Sequence, residues 1–224
     1  MSDQVSPQRI FIAGGTGYLG TGLIPQLIRR GHEVSALVRR ESAQKLPKGC
    51  RPVIGNALDR SSFGLAVKGT DTFVQLVGVP KPSPWKGVQF RAIDLVSARA
   101  SLETAKTAAV NHFVYVSVAH PAPIMKAYVE VRTECEAMIR TSHLRATFLR
   151  PWYILGPGHR WPLLLLPAYR LMSLLSSTRE AAARLGLVTV EDMLATLVWA
   201  IEHPPEAIRI IDVPEIRRLG KNGR

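Results

Sequence analysis

The chain has 224 residues, 46% of them hydrophobic and 21% charged, an ordinary globular composition for one α/β domain with a modest extension. Its net charge is +12, from 29 Lys and Arg against 17 Asp and Glu, yet the basic residues are scattered, so no nucleic-acid partner is expected. Cys50 and Cys135 lie far apart and match no metal spacing, so they read as reduced thiols of a cytoplasmic protein with no metal site.

The polar start, Met1 to Gln8, does not read as a signal peptide. A short apolar run, Arg9 to Ala13, then leads into Gly14-Gly15-Thr16-Gly17-Tyr18-Leu19-Gly20. Gly15-x-Gly17-x-x-Gly20 fits the dinucleotide fingerprint, and Gly14-x-x-Gly17-x-x-Gly20 its close variant. One glycine makes the turn, one lets backbone touch a pyrophosphate, and one lets the helix pack on the strand. The helix N-terminus then offers free N–H groups to the phosphates. The competing interpretation is a glycine-rich turn with no ligand.

Gly20 to Arg30 reads as the first helix, with Leu23, Ile24, Leu27 and Ile28 on one face, a bend expected at Pro25, and a stop at Gly31. Glu33 to Val38 is the second strand. Where an NAD site usually carries an acidic residue, Arg39 and Arg40 follow, and arginine suits a ribose 2′-phosphate. NADP(H) is therefore preferred over NAD(H), the alternative being two solvated arginines. Arg51 to Asn56 is a third strand, leading into Asn56 and Ala57 near where an adenine would lie. Asp71 to Val77 is a fourth strand, and Val77 and Gly78 bring backbone close to the cofactor.

A proline-rich loop, Pro80 to Pro84, precedes a long helical pattern from Arg91 to Ala109. His112 to Val118 is a fifth strand containing Ser117, Met125 to Ser142 a helix, and Arg145 to Arg150 a sixth strand followed by Pro151. Successive βα units imply a parallel, doubly wound sheet of the Rossmann type. Gly14, Arg39, Asn56, Gly78, Ser117 and Arg150-Pro151 all fall at carboxyl ends of strands, where such sheets bind ligands.

Past Pro151 the rhythm changes. Gly156-Pro157-Gly158 is a turn, and Trp161 to Leu175 reads as an apolar helix broken by Pro162, Pro167 and Arg170, too short to span a bilayer. Leu187 to Val190 is short and apolar, Glu191 to Glu202 an amphipathic helix, and Ile208 to Val213 a last strand. The basic end, Arg217 to Arg224, reads as a frayed terminus. Residues 1–224 are thus expected to form a single domain, with 152–204 supplying most of a small C-terminal substrate lobe over the cleft. The segment 161–175 and the positive charge leave open a membrane-surface interpretation, but packing over the cleft is expected instead.

The chain resembles the short-chain dehydrogenase/reductase superfamily, in the atypical and extended branch that holds NmrA-like and NAD-dependent epimerase/dehydratase-like proteins. The matching residues are Gly14 to Gly20, Leu37-Val38-Arg39, Gly55 to Asp59, Phe113 to Ser117, Leu149-Arg150-Pro151 with Gly156-Pro157, and Val188 to Asp192. The resemblance implies a serine, a tyrosine and a lysine four residues after the tyrosine as the catalytic set. Ser117 and Tyr128 match the first two, while the lysine position is Arg132, which shares a helix face with Tyr128. In the family that lysine also holds the nicotinamide ribose. Arginine can keep the charge but cannot pass on a proton. The alternative is that Tyr128 is a half-buried aromatic and Arg132 pairs with a neighbour such as Glu136. The implied activity is hydride transfer to or from a small carbonyl or alcohol substrate by an NADP-dependent oxidoreductase. A non-catalytic redox sensor or assembly protein of the NmrA-like kind is the other option.

Overall fold

The computed structural model describes residues 6–157, 180 and 183–222. Seven strands form one parallel sheet: β1 (Arg9–Ala13), β2 (Glu33–Val38), β3 (Arg51–Ile54), β4 (Thr72–Gln75), β5 (His112–Val116), β6 (Ala146–Leu149) and β9 (Ile208–Ile211). Their order is β3-β2-β1-β4-β5-β6-β9, so the chain reverses its direction of growth between β1 and β4. That is a Rossmann-like, doubly wound sheet, whose ligand crevice opens at the reversal. Two short strands outside it, β7 (Tyr153–Leu155) and β8 (Leu187–Thr189), pair in parallel.

Every central strand is buried on both faces, as crossover helices require. One face is aromatic. Phe11, Phe73 and Phe113 stand in register across β1, β4 and β5, with ring centroids 5.2 and 5.4 Å apart. Against them pack α2 and α3. The first is a continuous helical run through Gly87–Gln89, a π-helical stretch Phe90–Leu95, and Val96–Thr107; the second is Lys126–Thr141. The other face is aliphatic, with Ile10, Ile12, Val74 and Val114. It is covered by α1 (Gly20–Arg29), α4 (Val190–Glu202) and α5 (Val213–Asn222). Such shape-matched layers fix the strand ends to one another, and the site lies along those ends.

Strands and helices fall within a few residues of the expected bounds, and α1 runs through Pro25 as one element. Two sequence readings change. The helix expected to begin at Arg91 begins earlier, and its π-helical stretch turns Asp94 inward. The basic end is not a frayed terminus: Val213–Asn222 is a helix with Val213, Ile216 and Leu219 buried. Its start was readable, because the Asp212 carboxylate accepts a bond from the Glu215 amide at 3.2 Å, a capping arrangement. Asp192 lies so close to Gly220 that a Cβ there would meet its Cα at 2.5 Å.

The helix Val190–Glu202 sits in the layer over the main sheet, against α1, capped by Thr189, whose hydroxyl accepts from the Asp192 amide at 3.0 Å. The apolar segment Trp161 to Leu175 lies outside the described residues. Among those described, no helix is long and apolar enough to cross a membrane.

Candidate cofactor and active site

The glycine loop joins β1 to α1 at the reversal point. Gly14 has φ +94°, a left-handed conformation that L side chains rarely adopt, and a Cβ there would sit 3.0 Å from the Leu76 backbone after β4. At Gly20 a Cβ would come within 2.5 and 2.6 Å of the Gly14 and Gly15 carbonyl oxygens, and at Gly15 within 2.6 Å of Ala36. These glycines let helix and strand touch. Gly17 is different: it is exposed, and a Cβ there meets only the Gly14 carbonyl, at 3.2 Å. The start of α1 carries no acidic residue in its first turn and no side-chain cap, so the helix itself does not neutralise its positive end. Thr16 and Leu19 are half-buried in the loop. A Cβ at Gly156 would run into the Tyr18 hydroxyl, so the end of β7 closes against the loop. Burial, with Glu191 nearby, raises the Tyr18 pKa above its ordinary value.

These features fit a dinucleotide, because the cradle is one that side chains would fill and the first turn of α1 offers its N–H groups without an acidic residue of its own. Arg39 and Arg40 are exposed at the end of β2, where Arg39 lies 3.4 Å from the Glu41 carboxylate. Beyond β3, exposed Asn56 accepts from the Leu58 amide at 3.0 Å and half-buried Ala57 packs toward the aromatic core. Val77 and Gly78 follow β4 and are half-buried, while Pro151 is buried beyond β6.

Ser117 lies one residue past β5, 3% exposed, and its hydroxyl has no hydrogen-bond partner among the described residues. Tyr128 is half-buried in the first turn of α3, its ring 4.9 Å from that of Phe90. Arg132, one turn on, is not at the solvent edge. Its guanidinium is buried and donates to Asp94 at 2.5 Å, to the Val116 carbonyl at 2.9 Å and to the Tyr115 hydroxyl at 3.2 Å. Asp94 also accepts from the Val79 amide at 2.9 Å. The pair therefore ties the exits of β4 and β5 to α2 and α3. Burial opposes the Arg132 charge, but the tyrosines and Asp94 hold its pKa well above the ordinary arginine value. Burial pushes the Asp94 carboxyl above the usual carboxylate range, against the pull of Arg132. The Arg132 guanidinium also lies over the Tyr128 ring, 5.1 Å from its centroid.

The spacing of Tyr128 and Arg132 on one face is as expected, but Arg132 pairs with Asp94 rather than with Glu136. Glu136, one turn further on, is buried and takes a bidentate contact from Arg150 at the end of β6, with His120 at 3.6 Å and Arg140 at 3.9 Å. Burial, then Arg150, lowers the His120 pKa, and Glu136 opposes them. Asp94 was missed in the sequence, and Glu136 was named there only as a partner for Arg132. The signal was a demand: two arginines at strand and helix positions that must be buried need carboxylates.

A Rossmann-like sheet with a glycine cradle at its switch point defines a dinucleotide-binding protein. The NAD(P)H-binding family matches residues 14–160, and the chain belongs to it. The ceramide reductase of Caulobacter vibrioides is 27% identical over 213 residues, covering 94% of this chain and 66% of that protein. A 4-hydroxy-2-methyl-3-oxo-4-farnesyl-3,4-dihydroquinoline-1-oxide ketoreductase of Stigmatella aurantiaca is 31% identical over 111 residues, 49% of this chain and 33% of that one. The chain thus spans at most about two-thirds of the length of these relatives. In fold it is similar to the Bordetella bronchiseptica enzyme WbmH, solved in complex with NAD+, with a TM-score of 0.69, 21% identity, and coverage of 96% of this chain and 80% of that one.

Proposed function

We propose that the protein is an NADPH-dependent reductase of a carbonyl group on a small organic molecule. The observation that carries this reading is the glycine cradle after β1 together with a buried Ser117 hydroxyl after β5 that has no hydrogen-bond partner among the described residues, with Tyr128 on α3, the helix that follows. A buried hydroxyl without a partner costs free energy, and a substrate oxygen would satisfy it. The names of the two curated relatives, a ceramide reductase and a farnesyl-dihydroquinoline ketoreductase, favour a substrate with a large apolar body.

Bound in the cradle, the cofactor supplies a hydride to an electrophilic carbon. The protein does the rest. Tyr128 gives its phenolic proton to the carbonyl oxygen, and Ser117 donates a hydrogen bond to the same oxygen. Arg132 acts through Tyr128: its guanidinium holds the ring by a cation–π contact and braces the Val116 carbonyl just before Ser117. It is a positioning residue, since its two terminal nitrogens already donate to Tyr115, the Val116 carbonyl and Asp94. Arg39 and Arg40 discriminate for the 2′-phosphate, each charge-assisted contact stabilising by ~1.5–3 kcal/mol.

Tyr128→Phe is expected to lower the rate of NADPH-dependent carbonyl reduction by ~10²–10⁴-fold while leaving cofactor affinity unchanged, because only a hydroxyl is removed. The assay is NADPH oxidation across a panel of ketones and aldehydes, with calorimetry of NADPH and NADH binding alongside. Equal affinity for the two cofactors sinks the role of Arg39 and Arg40. Tight NADPH binding with no turnover of any carbonyl makes the protein a sensor.

A further inference from the structure

Two loops leave the carboxyl ends of β4 and β5 and frame Tyr128. The first runs from Val79 into the start of α2, the second from His120 to the start of α3. Gly87 lies against Ala127, where a Cβ at the glycine would meet the alanine Cβ at 3.4 Å, so the loops share a corner. The corner is apolar on the outside. Trp85 is 91% exposed, Val88 84% and Ile124 59%. Trp85 and Val88, three residues apart at the start of a helix, share a face. The residues just behind them, Phe90 and Tyr128, pack ring against ring, so the patch adjoins the candidate proton donor.

The corner is also cationic. Lys81 and Lys86 lie on the first loop, which carries no acidic residue, and Lys126 begins α3 one turn before Glu130, while Arg91 is already paired with Glu134 at 3.1 Å. Lys81 and Lys126 are exposed. The loops are built features. The Lys86 ammonium donates to the Pro80 and Lys81 carbonyls at 2.8 and 3.1 Å, which fixes the turn that presents Trp85. Lys81 and Met125 hold φ +48° and +60°, left-handed conformations that a non-glycine residue keeps only when its surroundings impose them. Exposed Trp and aliphatic side chains within a ring of lysines match the chemistry of an anionic lipid interface.

We propose that Trp85, Val88 and Ile124, ringed by Lys81, Lys86 and Lys126, seat the mouth of the cleft on an anionic lipid surface, from which an apolar-bodied carbonyl substrate reaches Tyr128. The proposal rests on the reductase reading for its substrate and reverses the sequence-based expectation of no membrane contact. The apolar side chains enter the interface and the ammonium groups meet the anionic headgroups. The contact is therefore strong only where both are present, and added salt weakens it.

The test is co-sedimentation of the full chain with phosphatidylcholine vesicles, with and without phosphatidylglycerol. Wild type is expected to sediment with the anionic vesicles only, and less at high salt. The exposed triple variant W85A/V88S/I124S is expected to lose binding by about tenfold or more, the equivalent of one apolar side chain withdrawn from the interface. NADPH affinity of the variant stays at the wild-type value, which shows that the fold and cradle are intact. No binding of wild type to phosphatidylglycerol vesicles overturns the proposal. So does a triple variant that sediments like wild type, which would move the contact to another segment such as residues 161–175. Concentration-dependent self-association that the variant abolishes, without vesicle binding, assigns the patch to a second copy of this chain and also overturns it. Failure of wild type to bind NADPH would break the reductase reading and leave the vesicle result standing.

Discussion

The glycine loop and the inner face of α3 lie at neighbouring strand ends, yet they are built on opposite plans. The loop is made of backbone. Its glycines meet residues close in sequence, such as Gly14 and Gly15 against Gly20, or the strand beside it, and its function follows from the absence of side chains. The α3 face is made of long side chains whose partners come from far away. Arg132 reaches Asp94, 38 residues back, and Glu136 meets Arg150 from the next strand. A motif made of backbone can be recognised from spacing alone, whereas a motif made of charges acquires its meaning from whatever packing brings beside it.

The largest effect is expected on the α3 side. Arg132→Ala leaves Asp94 buried without its partner, which should destabilise the fold by about 3–5 kcal/mol in denaturant unfolding. Replacing both, as Arg132→Met with Asp94→Leu, should recover much of that loss, since the penalty lies in the stranded charge. A double variant as unstable as Arg132→Ala alone would mean the pair holds the strand exits by more than charge compensation. Arg132→Lys should rescue poorly, because one ammonium cannot reach all three acceptors that the guanidinium spans.

The loop should respond in two separable ways. Gly20→Ala forces a Cβ against two carbonyl oxygens that belong to the backbone, so stability should fall by ~1–3 kcal/mol together with NADPH affinity. Gly17→Ala asks only a few tenths of an ångström of the Gly14 carbonyl, so it should keep most of its stability and still lose cofactor binding. If Gly17→Ala binds NADPH as wild type does, the cradle is a packing device alone and the comparison between the two regions collapses.

The effect that is smallest near neutral pH lies away from both regions and serves as a control. His112, at the start of β5, is buried with its imidazole 2.9 Å from the Thr147 hydroxyl. Burial, with Arg145 and Arg209 nearby, lowers its pKa to about 3. Below about pH 6.5 the unfolded chain takes up a proton that the folded chain refuses, so stability should fall with pH by up to ~1.4 kcal/mol per unit and be unaffected above that value. Thermal unfolding between neutral and mildly acid pH should show this slope in wild type and a shallower one in His112→Gln. Cofactor affinity should not follow it. An equally steep slope in the variant would assign the acid sensitivity to other groups.

The alternation of strand and helix, the switch point at Gly14 and the cofactor cradle were determined by the sequence itself. Each was legible from short-range periodicity and from what a glycine permits, although the packing of Gly14 on Leu76 and of Gly15 on Ala36 is made only in the fold. Asp212 and Glu215 were equally local and still went unread, because the run of basic residues after them masked the cap and the Val213, Ile216, Leu219 stripe. The tertiary structure alone decided that Arg132 turns inward to Asp94, that Glu136 gathers Arg150 and His120, and that the loops carrying exposed Trp85 and Ile124 come together where Gly87 lies against Ala127. A buried charge takes the partner that packing leaves within reach, and an exposed apolar side chain becomes a patch only when another chain segment is folded beside it. Neither is a property of the residue or of its neighbours in sequence.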